Sequence, residues 1–81
     1  MNMGRVWFEN YIGERKSIAS CKNEAQVLKV INSFISNTDD ETRKNYGKYY
    51  IRTWDDNGIR CYDVGSHSEF FYWELPKNYP S

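Results

Sequence analysis

Apolar and polar residues alternate along this chain in two rhythms. Residues 5–12, Arg5-Val6-Trp7-Phe8-Glu9-Asn10-Tyr11-Ile12, are rich in strand formers and run into the polar turn Gly13-Glu14-Arg15-Lys16, after which Ser17 to Cys21 offers a second short strand. This pair reads as a hairpin. Period-2 geometry sets Val6 and Phe8 on one face and Trp7, Glu9 and Tyr11 on the other. Both sets are substantially apolar, so the alternation leaves open which face meets the core.

The rhythm then changes. Val27, Leu28, Ile31, Phe34 and Ile35 fall on one stripe of a 3.6-residue repeat, with Lys29, Asn32 and Ser33 opposite, which predicts one amphipathic helix. Asn23 followed three residues later by Gln26 is a helix-start pattern, in which the Asn side chain accepts from an unpaired backbone N–H and the Gln reaches back. Asn37 suits a left-handed C-terminal position. Asp39-Asp40-Glu41-Thr42-Arg43-Lys44-Asn45 has no apolar anchor and reads as a solvated loop.

Lys48 to Trp54 and Ile59 to Val64 flank Asp55-Asp56-Asn57-Gly58, the strongest local signal in the chain. Asn-Gly accepts the positive φ angles of a tight type I′ turn, whose twist matches that of the adjoining strands. A two-residue loop sets Thr53 opposite Tyr62 and Ile51 opposite Val64 on one face, with Arg52 opposite Asp63 and Trp54 opposite Cys61 on the other. A four-residue loop changes the partners and keeps the faces, whereas a three-residue loop with a bulge sets Ile51 against Asp63 and spoils the charge pairing. The two-residue register therefore sends Ile51, Tyr62 and Val64 inward and Tyr50, Arg52 and Trp54 outward. Gly65 to Ser68 is a turn, Phe70 to Leu75 a last strand, and Pro76 to Ser81 an extended surface tail.

The order ββαβββ predicts an α+β fold: a small antiparallel sheet of four to five strands with one helix packed on one face. At 81 residues, the chain accommodates one domain, residues 1–81. Three Trp, seven Tyr and four Phe supply much of its 40% apolar content, more aromatic surface than one helix can cover. Some of it is expected to stay exposed, as at a protein interface or a homodimer contact.

Charge narrows the function classes. Eleven basic and eleven acidic residues cancel, five of each in residues 1–40 and six of each in residues 41–81, so no half resembles a phosphate-binding polyelectrolyte. Cys21 and Cys61 stand far apart and outside any C-x-x-C pair, and no apolar leader or membrane-length run occurs. These features predict a cytoplasmic protein with two free thiols and no membrane association.

No nucleotide loop, H-E-x-x-H helix or zinc-ribbon spacing occurs. Cys61, Asp63 and His67 are the best available mixed metal set, and they also have the membership of a thiol nucleophile, base and orienting group. The plainer assignment puts Cys61 in a strand beside Trp54, pairs Asp63 with Arg52 and leaves His67 bonded to backbone in a turn. Asp39, Asp40 and Glu41 lack the alternating oxygens and glycine of a calcium loop. The expectation is a non-enzymatic protein without cofactor or metal.

Contact chemistry remains. Tyr50, Arg52 and Trp54 on one hairpin face combine the residue types enriched at interface hot spots, and the same trio suits stacking on single-stranded bases. Tyr46, Tyr49, Phe70, Tyr72 and Trp73 are further aromatic candidates. Asp39, Asp40, Glu41, Asp55 and Asp56 supply acidic groups able to meet a basic partner. The segment Tyr62-Asp63-Val64-Gly65-Ser66-His67-Ser68-Glu69-Phe70-Phe71 resembles part of short uncharacterised phage and prophage proteins of Gram-positive bacteria, which carry a similar Asp-x-Gly-Ser-His turn and Phe-Phe strand. That resemblance implies a protein that binds and blocks a host protein in the host cytoplasm, as anti-CRISPR proteins do. The alternatives are an RNA- or single-strand-binding module and a structural homodimer subunit.

Overall fold

The computed structural model describes residues 3–37, 52–65 and 68–77. Among these residues five strands and one helix follow in the order β1 (Gly4–Glu9), β2 (Arg15–Cys21), α1 (Glu24–Ser36), β3 (Arg52–Asp56), β4 (Ile59–Asp63) and β5 (Phe70–Glu74). All pairings are antiparallel, and the sheet order is β2-β1-β5-β4-β3. The α+β class with one helix and a five-stranded antiparallel sheet is therefore as the residue patterns require.

Local chemistry sets the boundaries. β1 stops at Glu9, short of Ile12, because the Asn10 side-chain oxygen accepts from the backbone N–H groups of Ile12 at 3.1 Å and Glu14 at 2.9 Å. That curls the chain out of the ladder. Tyr11 and Ile12 consequently lie exposed in the turn. Asn23 caps α1 by accepting from Gln26 N at 3.0 Å, while Gln26 Oε1 accepts from the N–H of Lys22, one residue earlier than in the simple reciprocal pattern. Asn37 is not left-handed, with φ −98° and ψ 6°. Its backbone N–H bonds Ser33 O at 3.0 Å and its amide bonds Ser33 Oγ at 3.3 Å, so it continues the last turn.

Asn57 and Gly58 have φ of 52° and 81°, the positive pair of a type I′ turn. The resulting register is the one the two-residue loop demands, with Arg52 opposite Asp63, Thr53 opposite Tyr62 and Trp54 opposite Cys61. Lys48 to Ile51, and with them the Ile51–Val64 pairing, lie outside the described residues. The turn is also tied to the next strand, since Leu75 N donates to Gly58 O at 2.9 Å. Pro76, read from the sequence as the start of a surface tail, is buried where the chain leaves β5; residues 78–81 lie outside the described residues.

The helix covers the face that carries Val6 and Phe8. Val27, Ile31 and Ile35 of α1 join Val6, Phe8, Tyr62, Val64, Phe71 and Trp73 in one core, with Leu28 and Phe34 packed at its margin. Phe8 sits 4.6 Å from Phe34 and 5.2 Å from Phe71 by ring centroids, which bridges helix and sheet. Each buried aliphatic of the helix stabilises the fold by about 1.5–3 kcal/mol. Three ion-paired groups close the end of this layer. The Arg60 guanidinium grips Asp55 at 2.7 and 3.2 Å and Glu24 at 3.0 Å, while Tyr62 Oη donates to Glu24 at 3.2 Å. The first turn of the helix is thereby pinned to β4.

Candidate functional site

Among the described residues no element lies over the opposite face of the sheet. Registers across all five strands give that face an order. Its middle row runs Ser17, Trp7, Tyr72, Cys61, Trp54, each opposite the next on the neighbouring strand. On one side of it lies the row Arg15, Glu9, Phe70; Arg52 and Asp63 continue the flank on β3 and β4. On the other side Glu74, Ile59 and Asp56 fall in line. An aromatic band therefore crosses the sheet between flanks that hold charge.

Each arginine of this face lies over an aromatic ring. Arg5 is 5.7 Å from the Trp7 centroid, Arg15 is 4.4 Å from Tyr72, and Arg52 is 5.2 Å from Trp54. Two of them also meet a carboxylate, Arg15 with Glu9 at 2.9 Å and Arg52 with Asp63 at 3.3 Å. Tyr72 Oη donates to Glu9 at 3.1 Å, and Trp7 Nε1 donates to Glu74 at 3.2 Å. Such contacts hold the long side chains flat against rings and lower the entropy lost when a partner seats on them. The bond to Glu9 raises the Arg15 pKa, and burial followed by the bond to Glu9 raises that of Tyr72, so both groups keep their protons at neutral pH.

The residues named from sequence separate in three ways. Arg52 and Trp54 stand together on the open face; Trp54 is 39% exposed and meets Phe70 edge-on at 6.3 Å. Asp55 turns to the helix-covered face, where its bonds to Arg60 hold its carboxyl below the usual aspartate range, and Asp56 returns to the open side at the hairpin end. Tyr50, Asp39, Asp40 and Glu41 lie outside the described residues, as do Tyr46 and Tyr49. Of the other aromatic candidates, Phe70 and Tyr72 are half-buried on the open face and Trp73 is fully buried under the helix.

Trp7, Glu9, Arg15, Tyr72 and Glu74 belong to the open face and were not singled out together by sequence. The signal was the apolar–polar alternation of β1, which assigns Trp7 and Glu9 to one side without saying which side is covered.

Cys61 is 5% exposed between Tyr72 and Trp54, and burial, reinforced by the charges of Asp56 and Asp55, raises its pKa. A thiol so placed is a poor nucleophile. Asp63 is fully buried and accepts from Gly65 N at 2.9 Å and from Arg52, which fixes the turn beyond β4; His67 lies outside the described residues. Among the described residues no three His, Cys, Asp or Glu side chains gather to hold a metal ion, and no helix is long and apolar enough to cross a membrane.

A groove of about 460 Å³ opens beside the β1–β2 turn, with Phe8 and Phe34 as its floor and Asn10, Glu14, Arg15 and Lys16 around it. Four of these six lining residues are polar or charged. No family model, curated protein or solved structure matches the chain.

Proposed function

We propose that this chain is a small non-enzymatic protein-binding module and that the open sheet face is its contact surface. The observation that carries the reading is the row Trp7, Tyr72, Cys61, Trp54, over which no described element lies, bordered by arginines already stacked on its rings. Aromatic and arginine side chains held in place supply large contact area at low entropic cost. The charges of the face favour protein over nucleic acid. Glu9 and Asp63 pair with Arg15 and Arg52, and Glu74 holds the Trp7 indole, so a phosphate backbone laid along the aromatic row would compete with a carboxylate at two of the three guanidinium groups.

The finer proposal is that the partner is a host protein and that binding blocks it. The likeness of Tyr62–Phe71 to short phage and prophage proteins supports this reading, which places the chain in a host cytoplasm and makes it an inhibitor of host defence in the manner of anti-CRISPR proteins. The test is affinity capture from bacterial lysate with the wild type, an Arg52→Ala/Trp54→Ala variant and a Lys29→Glu control on the solvent side of the helix. Partners retained by wild type and control and lost by the double variant would support the proposal. An identical partner set from all three would overturn it, and salt-sensitive binding of a single-stranded oligonucleotide lost with Trp54 would replace it with the nucleic-acid reading.

A further inference from the structure

Among the described residues the sheet ends in two edge strands, β2 and β3, and they are built differently. β2 carries the devices that discourage further pairing. The ladder shifts register between Val6 and Trp7, which leaves Ile18 as an extra residue in β2, and Arg15 and Lys16 occupy one end. β3 has no register shift, and its charges are of opposite sign at its two ends, Arg52 at one and Asp55 with Asp56 at the other. All five of its residues pair with β4, and all five are exposed.

The turn fixes which backbone groups of β3 are spoken for. In a two-residue type I′ hairpin the pair flanking the loop, Asp56 and Ile59, exchanges hydrogen bonds, and alternation then directs the N–H and C=O of Trp54 and Arg52 to β4 as well. Those of Thr53 and Asp55 point away from the sheet. An incoming strand must therefore meet β3 at Thr53 and Asp55.

We propose that this strand is β3 of a second copy, paired antiparallel about a two-fold axis at Trp54. Thr53 then exchanges backbone hydrogen bonds with Asp55 of the other molecule, twice by symmetry. Trp54 faces its own counterpart in the closer, non-hydrogen-bonded type of pair, and Arg52 faces Asp56 in the same type, again twice. The sequence Arg-Thr-Trp-Asp-Asp is thus self-complementary in this register, as a two-fold interface requires. Moving the axis to Asp55 sets two aspartates opposite each other, and moving it to Thr53 takes Asp56 away from Arg52. The two helices end on the same side of a ten-stranded sheet, and the aromatic rows of the two open faces run on into one another.

Sedimentation equilibrium from about 10 µM to about 1 mM spans the range expected of so small an interface. The apparent mass is expected to climb from 9.7 kDa toward twice that value. Asp56→Lys, which sets lysine against Arg52 at both ends, weakens association by about tenfold or more. Mixing Asp56→Lys with Arg52→Glu restores it, because only the mixed pair has opposite charges at both positions. Circular dichroism of each variant checks the fold, and Asp56→Lys alone decides the matter if Arg52→Glu does not fold. A mass that stays at the monomer value throughout, or association undiminished by Asp56→Lys, overturns the proposal while leaving the open-face reading standing.

Discussion

The indole N–H of Trp73 donates to the backbone carbonyl of Cys21 at 3.3 Å, reaching from β5 across the whole width of β1 to β2. Gly4 makes the crossing possible. It pairs with Cys21, and a Cβ added there would overlap the Glu74 carbonyl oxygen and come within 2.9 Å of Trp73 Nε1. Gly4→Ala is therefore expected to destabilise the fold by about 1–3 kcal/mol, the usual range for an overfilled interior. Trp73→Phe should destabilise by a comparable amount by leaving the Cys21 carbonyl without its partner. Urea unfolding of both variants against the wild type measures this; wild-type midpoints would show that the indole does not bridge the strands.

Glu24 joins helix and sheet through Arg60 and Tyr62, at part-exposed positions where water weakens the charge term. Glu24→Ala is expected to lower stability by about 1 kcal/mol. A double-mutant cycle with Tyr62→Phe should give a nonzero coupling, and additive losses would show that the two side chains do not interact.

The hydrogen bond from Arg60 holds the Asp55 carboxyl below its ordinary pKa in the folded protein. A group depressed on folding contributes stability above its unfolded value of about 3.9 and loses it as pH falls through the lower folded value. Thermal melts between neutral pH and about pH 2 should therefore decline more for wild type than for Asp55→Asn. Parallel curves would remove Asp55 from the acid response.

Burial raises the pKa of both Cys21 and Cys61, which leaves little thiolate in the folded state at pH 7–8. Reaction with a thiol-specific disulfide reagent should be slow until denaturant is added, and then yield two thiols per chain. Rapid native labelling of Cys61 would contradict the closed packing of Tyr72 and Trp54 around it.

The elements most legible in the sequence were those decided by neighbours in the chain. Asn57-Gly58 specified a turn type and hence the partners of Arg52, Thr53 and Trp54, and the spacing of Val27, Ile31 and Ile35 specified a buried helix stripe. What was hidden depends on distant partners. β1 is apolar on both faces, so its own residues do not choose between Val6 with Phe8 and Trp7 with Tyr11. The choice is made by β5, whose Phe71 and Trp73 pair with Phe8 and Val6 on the face the helix covers. The same distance conceals the ordered open face and the Arg60–Glu24 contact, since nothing local to Trp7 or Glu24 announces Tyr72 or Arg60.

The strand order also carries a consequence for how the protein is made. β1 is made before its partner on the inner side of the sheet, β5, which follows more than sixty residues later. Until Trp73 and Phe71 emerge, Val6, Phe8, Val27 and Ile31 lack two of the large aromatics of their core. At about 5–20 residues per second that interval lasts several seconds, and the core closes only when translation has passed β5.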